Sequence, residues 1–364
     1  MIRPRPPLWL SLPSRFAGLR PGMALALLIL ATALLLSAWV RPVEDDGARA
    51  GAQADLGLYG AVVDGLRRGD EYYGVVATEF RAAGYPLRPF TAVRLPTLSV
   101  VQAALPDSVS VVLLVLVAAA AGFAWTRRIG DWFGRGPPRI TALFLLAGGM
   151  VAFVQPSLVH FHELWAGLLV AWSLAIRREG RWVEAVALAL CAMLIRETAA
   201  LYAIVMLIAA LVERQRREAL AWGAILLLFV AILSLHARAV GMVAGPLDAT
   251  AAAWGGWHGP ALFASGMARS TALTMLPWWL GAPLAMIALV GWAAAPGPLG
   301  ARAAAVFGAF ALMIALFART DSFHWVLVAA PAYLVGMAFL PDALRDLTRT
   351  LLDRRRVRVQ RITR

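Results

Sequence analysis

The sequence predicts an all-α fold, a polytopic transmembrane helical bundle of about ten segments, each near the length that crosses a bilayer. Three observations predict it. Apolar residues make up 61% of the 364 and charged ones only 15%, whereas an ordinary soluble domain is about one half apolar. Mean hydropathy is +0.72. Apolar runs alternate with short connections whose arginines fall on one side of the membrane, the pattern of cytoplasmic loops.

Taken in order, the first span is 23–40. It is longer than the apolar core of a cleaved signal peptide and ends in Trp39-Val40-Arg41, so it reads as a retained span. Residues 1–22 then form a cytoplasmic N-terminal segment, and 41–107 form a long extracytoplasmic first loop. Within that loop Leu58, Val62 and Leu66 recur at helical spacing, which predicts a helix lying at the interface. Further spans follow at 108–126, 140–156 and 163–176.

The stretch Trp182 to Leu211 is apolar, yet both of its ends are basic. Two basic ends put both on the cytoplasmic side, so the stretch reads as a hairpin, 182–195 and 198–212. Arg196 and Glu197 fall near its tip. Charged residues at such a position are costly in lipid and mark a functional-site candidate. Neighbours on a helix point apart, so these two are expected not to pair with each other. The remaining spans are 219–237, 273–293, 302–318 and 325–340. The transmembrane domain is thus 23–341, and 342–364 is a basic cytoplasmic tail.

The net charge is +13, but its arginines sit in the tail and in short loops. That distribution orients a membrane protein and touches anionic lipid; it does not predict a nucleic-acid partner. The single Cys191 lies in an apolar helix and reads as a small core residue, so no disulfide framework is expected.

Polar residues that are costly near lipid gather on the outer side of this topology. They include Asp55, Arg94, His160, His162, Glu163, Arg196, Glu197, His236, Arg238, Arg319, Asp321 and His324. A shared cavity facing outward explains the clustering. His160-Phe161-His162-Glu163 has no metal-ligand spacing, and interfacial histidines with a helix-starting glutamate explain it better. Arg319, Asp321 and His324 place a cation, a carboxylate and an imidazole in one turn. Trp254, Trp257, Trp278 and Trp279 read as an interfacial belt.

The first loop adds Asp55-Leu56-Gly57-Leu58-Tyr59 and Gly69-Asp70-Glu71-Tyr72. An Asp in the first extracytoplasmic loop, a Tyr four residues on, then Gly-Asp-x-Tyr and a mid-chain Arg-Glu resemble the polytopic GT-C glycosyltransferases. Bacterial members of the polyprenol-phosphate-mannose type often carry such an Asp-x-x-x-Tyr start and an Arg-Glu in a mid-chain helix break. The pieces that match are Asp55, Tyr59, Gly69, Tyr72, Arg196 and Glu197. The chain departs where many relatives carry Asp-Glu, since Asp55 is followed by Leu56 and the acidic pair Asp45-Asp46 lies ten residues earlier.

This resemblance implies a hexosyltransferase that moves a sugar from a polyprenyl-phosphate donor to an extracytoplasmic glycan, lipid or protein, with inversion. Asp55 is then the general base, with Asp45 or Asp46 as the other choice and a helix N-cap as the competing role for Asp55. Tyr59, Tyr72, Arg94, Arg196, Glu197, Arg319, Asp321 and His324 are the expected substrate-binding residues, the arginines gripping the departing phosphate. No metal ligand and no cofactor is expected. The expected location is a bacterial inner membrane, with both termini cytoplasmic and the site periplasmic. Two other readings use the same residues without chemistry. One is a transporter or flippase with a charged outer cavity; the other is a noncatalytic assembly subunit of an envelope machine.

Overall fold

The computed structural model describes residues 7–40, 47–134, 136–252 and 257–352, with the side chains of 47–53 and 320–323 outside the description. Fourteen α-helices and no β-strands occur among these residues. The helices in chain order are α1 (Pro21–Ser37), α2 (Gly47–Arg67), α3 (Tyr72–Ala82), α4 (Thr97–Ala103), α5 (Asp107–Trp132), α6 (Pro137–Gly149) and α7 (His162–Ile176). They continue as α8 (Val183–Ile195), α9 (Ala200–Val212), α10 (Arg216–Val243), α11 (Gly259–Ser270), α12 (Trp278–Ala294), α13 (Gly297–Phe317) and α14 (Leu340–Leu352).

Three of these, α5, α10 and α13, are apolar and long enough to cross a membrane. At 26, 28 and 21 residues they span about 30 Å or more at 1.5 Å per residue. Of the shorter apolar helices, α7, α8, α9 and α12 pack with them, and α1 packs on α12. Large apolar side chains face outward along the long helices, for example Leu116, Phe123, Leu220 and Leu227. In water that surface would be a liability; against lipid it is the expected exterior.

α7 is the axis of the bundle. Thirteen of its fifteen residues are buried, because α5, α8 and the 320–328 segment close on it. Gly167 permits the last of these contacts, since a Cβ there would lie 2.3 Å from the Leu327 carbonyl oxygen. The chain from α8 to α9 reverses at Arg196. One end of the bundle therefore gathers the start of α7 and the α8–α9 tip. The other end gathers the end of α7 and the junction of α9 with α10.

The structure differs from the sequence reading in several places. The span expected at 325–340 is not an α-helix but two 3-10 segments, Thr320–Val328 and Tyr333–Phe339. Pro331 lies between them and breaks the ladder. Gly336 is pressed so close to α12 that a Cβ would lie 2.1 Å from the Ala288 carbonyl oxygen. Being buried in protein, such irregular backbone is tolerable even at membrane depth. The connection between the expected spans 219–237 and 273–293 contains α11, a helix with nine of its twelve residues buried. The expected spans 140–156 and 273–293 are cut short by 3-10 turns at Val151–Val154 and Ala272–Met275. Cys191 is exposed on the outside of α8 and is not a core residue.

The described part of the 41–107 stretch, from residue 47 on, is built from α2, α3 and α4. Leu58, Val62, Tyr72, Val75, Phe80, Leu87 and Val93 form its own small core, which Val240 of α10 joins. Arg81 anchors it through paired bonds to Asp248, 2.8 Å each, and Arg67 reaches Asp107 at 2.6 Å. The unit is therefore fixed over one end of the bundle.

Candidate active site

The helix break at the α8–α9 tip creates the centre of the site. Arg196 closes α8 with an extended backbone, φ −141° and ψ 113°. Extended geometry turns its side chain inward, where it is 2% exposed. Its Nε lies 2.8 Å from Glu163 Oε1, which sits in the first turn of α7 and is equally buried. That is a close charge contact without hydrogen-bond alignment, because neither atom has a directed partner. The helix start favours a carboxylate at this position. The guanidinium also lies over the Trp325 ring, 5.6 Å from its centroid.

Arg196 and Glu197 do pair, contrary to the sequence expectation. Arg196 Nη1 contacts Glu197 Oε1. The expectation assumed helical neighbours; the extended residue followed by a 3-10 turn brings the two side chains together instead. Arg94 completes the cluster from the first loop, with Nη1 3.4 Å from Glu197 and Nη2 3.7 Å from Glu163. His324 Nε2 is 3.6 Å from Glu163.

The first loop delivers the remaining groups. Tyr72 donates its hydroxyl to the Arg94 carbonyl at 2.8 Å and so sets the Arg94 backbone. Tyr59 packs on the His162 ring, centroids 4.7 Å apart. Burial raises the Tyr59 pKa to about 12, so the hydroxyl stays protonated. Asp55 lies one turn before Tyr59 on the same face of α2, partly accessible. It accepts a hydrogen bond from Tyr85, and His324, Arg94 and Glu163 are its titratable neighbours. Burial raises its pKa above 3.8, with Tyr85, His324 and Arg94 opposing. The N-cap role for Asp55 is excluded by position, since α2 starts at Gly47.

Several buried polar atoms here lack a partner among the described residues: both ring nitrogens of His162, Arg94 Nε, Glu197 Oε2 and Thr198 Oγ1. Unpaired polar atoms are costly, and their concentration at one point marks a place adapted to a polar ligand. Among the described residues no group of three or more His, Cys, Asp or Glu converges to hold a metal ion. The positive charges of the site are its arginines.

Of the expected site residues, Asp55, Tyr59, Tyr72, Arg94, Arg196, Glu197 and His324 come together. Arg319 is half-buried at the entry to the segment carrying His324. The Asp321 side chain, Asp45, Asp46 and Trp254 lie outside the described residues. Three contributors were not among the expected binding residues: Tyr85, His162 and Glu163. The signal for the last two was in the sequence, as polar residues opening an apolar helix. Arg238 is exposed, and His160 is engaged by Gln102 at 2.9 Å. Comparison of the chain with protein-family models, curated proteins and solved structures finds no match in any of the three.

Proposed function

We propose that the chain is a GT-C-type membrane glycosyltransferase, moving a hexose from a polyprenyl-phosphate donor to an extracytoplasmic acceptor with inversion. The observation that carries this reading is the placement of a partly accessible Asp55 near Arg94, which shares Glu163 with the buried Arg196 in a cluster whose Arg94 Nε and Glu197 Oε2 have no hydrogen-bond partner among the described residues. Asp55 takes the proton from an acceptor hydroxyl as its oxygen attacks the anomeric carbon. The bond from that carbon to the phosphate oxygen breaks, and the polyprenyl phosphate leaves with the electron pair. Burial favours this role, because a base with a raised pKa binds the proton more strongly. Arg94 and Arg196 stabilise the charge that develops on the departing phosphate. Glu163 and Glu197 hold those guanidinium groups in place.

The ten-segment topology, with both termini cytoplasmic and the site facing the periplasm of a bacterial inner membrane, belongs to this proposal. Arginines at the far ends of α5, α7 and α9 support it. The test is transfer of radiolabelled sugar from a set of polyprenyl-phosphate donors by purified protein in lipid. Transfer with inverted configuration is expected; no transfer from any donor would overturn the reading.

One observation favours the transporter reading. Ser173 and Tyr202, 2.8 Å apart and buried, lie between the charged groups at the two ends of α7. A polar path through the membrane is a transporter feature. Solute uptake into vesicles without any transfer would favour it.

A further inference from the structure

At the end of the bundle away from Asp55, a cavity of about 500 Å³ opens between the C-terminal halves of α5 and α7. Arg127, Arg128, Arg178 and Arg181 line it, together with Phe123 and Trp172. Arg128 is already committed, donating to the carbonyls of Ala175 (2.6 Å) and Arg177. Arg127, Arg178 and Arg181 are exposed.

The turn after α7 brings two of these cations face to face. Arg178 N–H donates to the Arg181 carbonyl at 2.9 Å, and Arg181 N–H to the Arg178 carbonyl at 3.0 Å. Gly180, at φ +73°, makes the two-residue turn possible. Residues opposed in such a pair place their side chains on one face, and like charges there repel. The acid within the turn makes no ion pair with them among the described residues; Glu179 accepts from Gln215 at 3.0 Å. Asp131 is the carboxylate within reach, 3.7 Å from Arg178 and 3.6 Å from Arg128. Among the described residues Arg127 and Arg181 make no ion pair; Arg127 instead lies over the Phe123 ring, 6.0 Å from its centroid. Orientation of the chain in a membrane explains arginines at this end, but it requires neither a cavity nor an opposed pair.

The apolar surroundings decide what kind of anion fits. Val112, Leu116 and Phe123 are exposed on one face of α5 and lead along it to the arginines. We propose that this cavity binds the phosphate headgroup of an anionic membrane lipid, its acyl chain lying along that face of α5. Arginine forks suit phosphate oxygens, and basic pockets between membrane helices are suited to anionic headgroups. The proposal is independent of the sugar-transfer reading.

Native mass spectrometry of the full chain, delipidated in detergent and titrated with phosphatidylglycerol or phosphatidylcholine, tests it. Phosphatidylglycerol is expected to bind at least about tenfold more tightly than phosphatidylcholine. The triple variant R127Q/R178Q/R181Q should lose about a hundredfold in affinity. R214Q/R216Q/R217Q, which removes the same charge from exposed arginines after α9, should lose little. Should the first triple not fold, Arg181→Gln alone should lose about fivefold. Equal losses in the two triples, equal binding of the two lipids, or displacement of phosphatidylglycerol by millimolar inorganic phosphate would overturn it.

Discussion

The molecule carries two buried Arg–Glu clusters at the two ends of α7, about 20 Å apart at 1.5 Å per residue, and they are built differently. At the far end Arg177, Arg302, Glu213 and Glu218 satisfy one another. Arg302 donates to Glu213 at 3.0 and 2.7 Å and to Glu218 at 2.9 Å. Arg177 donates to Glu218 at 3.0 and 2.5 Å, and Trp222 adds a bond at 3.2 Å. At the near end the two arginines and two glutamates balance in charge, but among the described residues Arg94, His162, Glu197 and Thr198 keep polar atoms without partners. A saturated network fastens helices together. One with unused donors and acceptors carries a cost that a ligand can relieve. The same residue types thus serve structure at one end and, in the proposal above, binding and chemistry at the other.

Substitutions can break or sharpen this contrast. The largest expected effect is on the rate: Asp55→Asn should lower transfer about 10²- to 10⁴-fold, the usual worth of a general base, at unchanged stability. In the wild type, the pH dependence carries the same information. A base works only when ionised, so activity falls as pH drops through the Asp55 pKa. Burial raises that pKa above 3.8, so the acid limb of kcat/KM should lie above the ordinary carboxylate range. A limb at or below that range would contradict the assignment.

Next in size is Glu218→Gln. It leaves Arg177 and Arg302 with Glu213 alone, and loss of a buried partner costs about 3 kcal/mol. Denaturation in mild detergent should show the loss, while the kcat of the molecules that remain folded stays the same. Arg196→Lys tests the near cluster. It keeps the charge but removes the planar fork, and should lower kcat about 10²-fold with little change in melting temperature. The smallest effect is expected from Tyr72→Phe. It deletes one hydrogen bond to the Arg94 carbonyl, worth about 1 kcal/mol, and should raise KM modestly.

The sequence made the near cluster legible because charge in an apolar run is conspicuous. Arg196-Glu197 marked the helix break, and basic flanks on both sides of it implied a reversal, which α8 and α9 make. Asp55 and Tyr59 were legible through their four-residue spacing. The pairing of Arg196 with Glu197 was not, since it depends on one extended residue between two helices. Nor was the buried α11, whose polar and glycine-rich borders resemble a loop. The 3-10 segments of 320–328 and 333–339 were hidden for a related reason: their composition suits a membrane span, and Pro331 between them was the one signal in the sequence that the ladder breaks. The far cluster read as a set of cytoplasmic flanks, because burial of Arg302 comes from α9 and α10 folding over α13.

The most direct test of the contrast is to measure sugar transfer per folded molecule for the wild type, Asp55→Asn and Glu218→Gln, side by side with their unfolding curves. Loss of transfer in Asp55→Asn at full stability, with loss of stability in Glu218→Gln at full specific activity, is the predicted result. Full transfer by Asp55→Asn, or specific activity lost in Glu218→Gln to the same degree as in Asp55→Asn, would contradict the division of roles between the two ends.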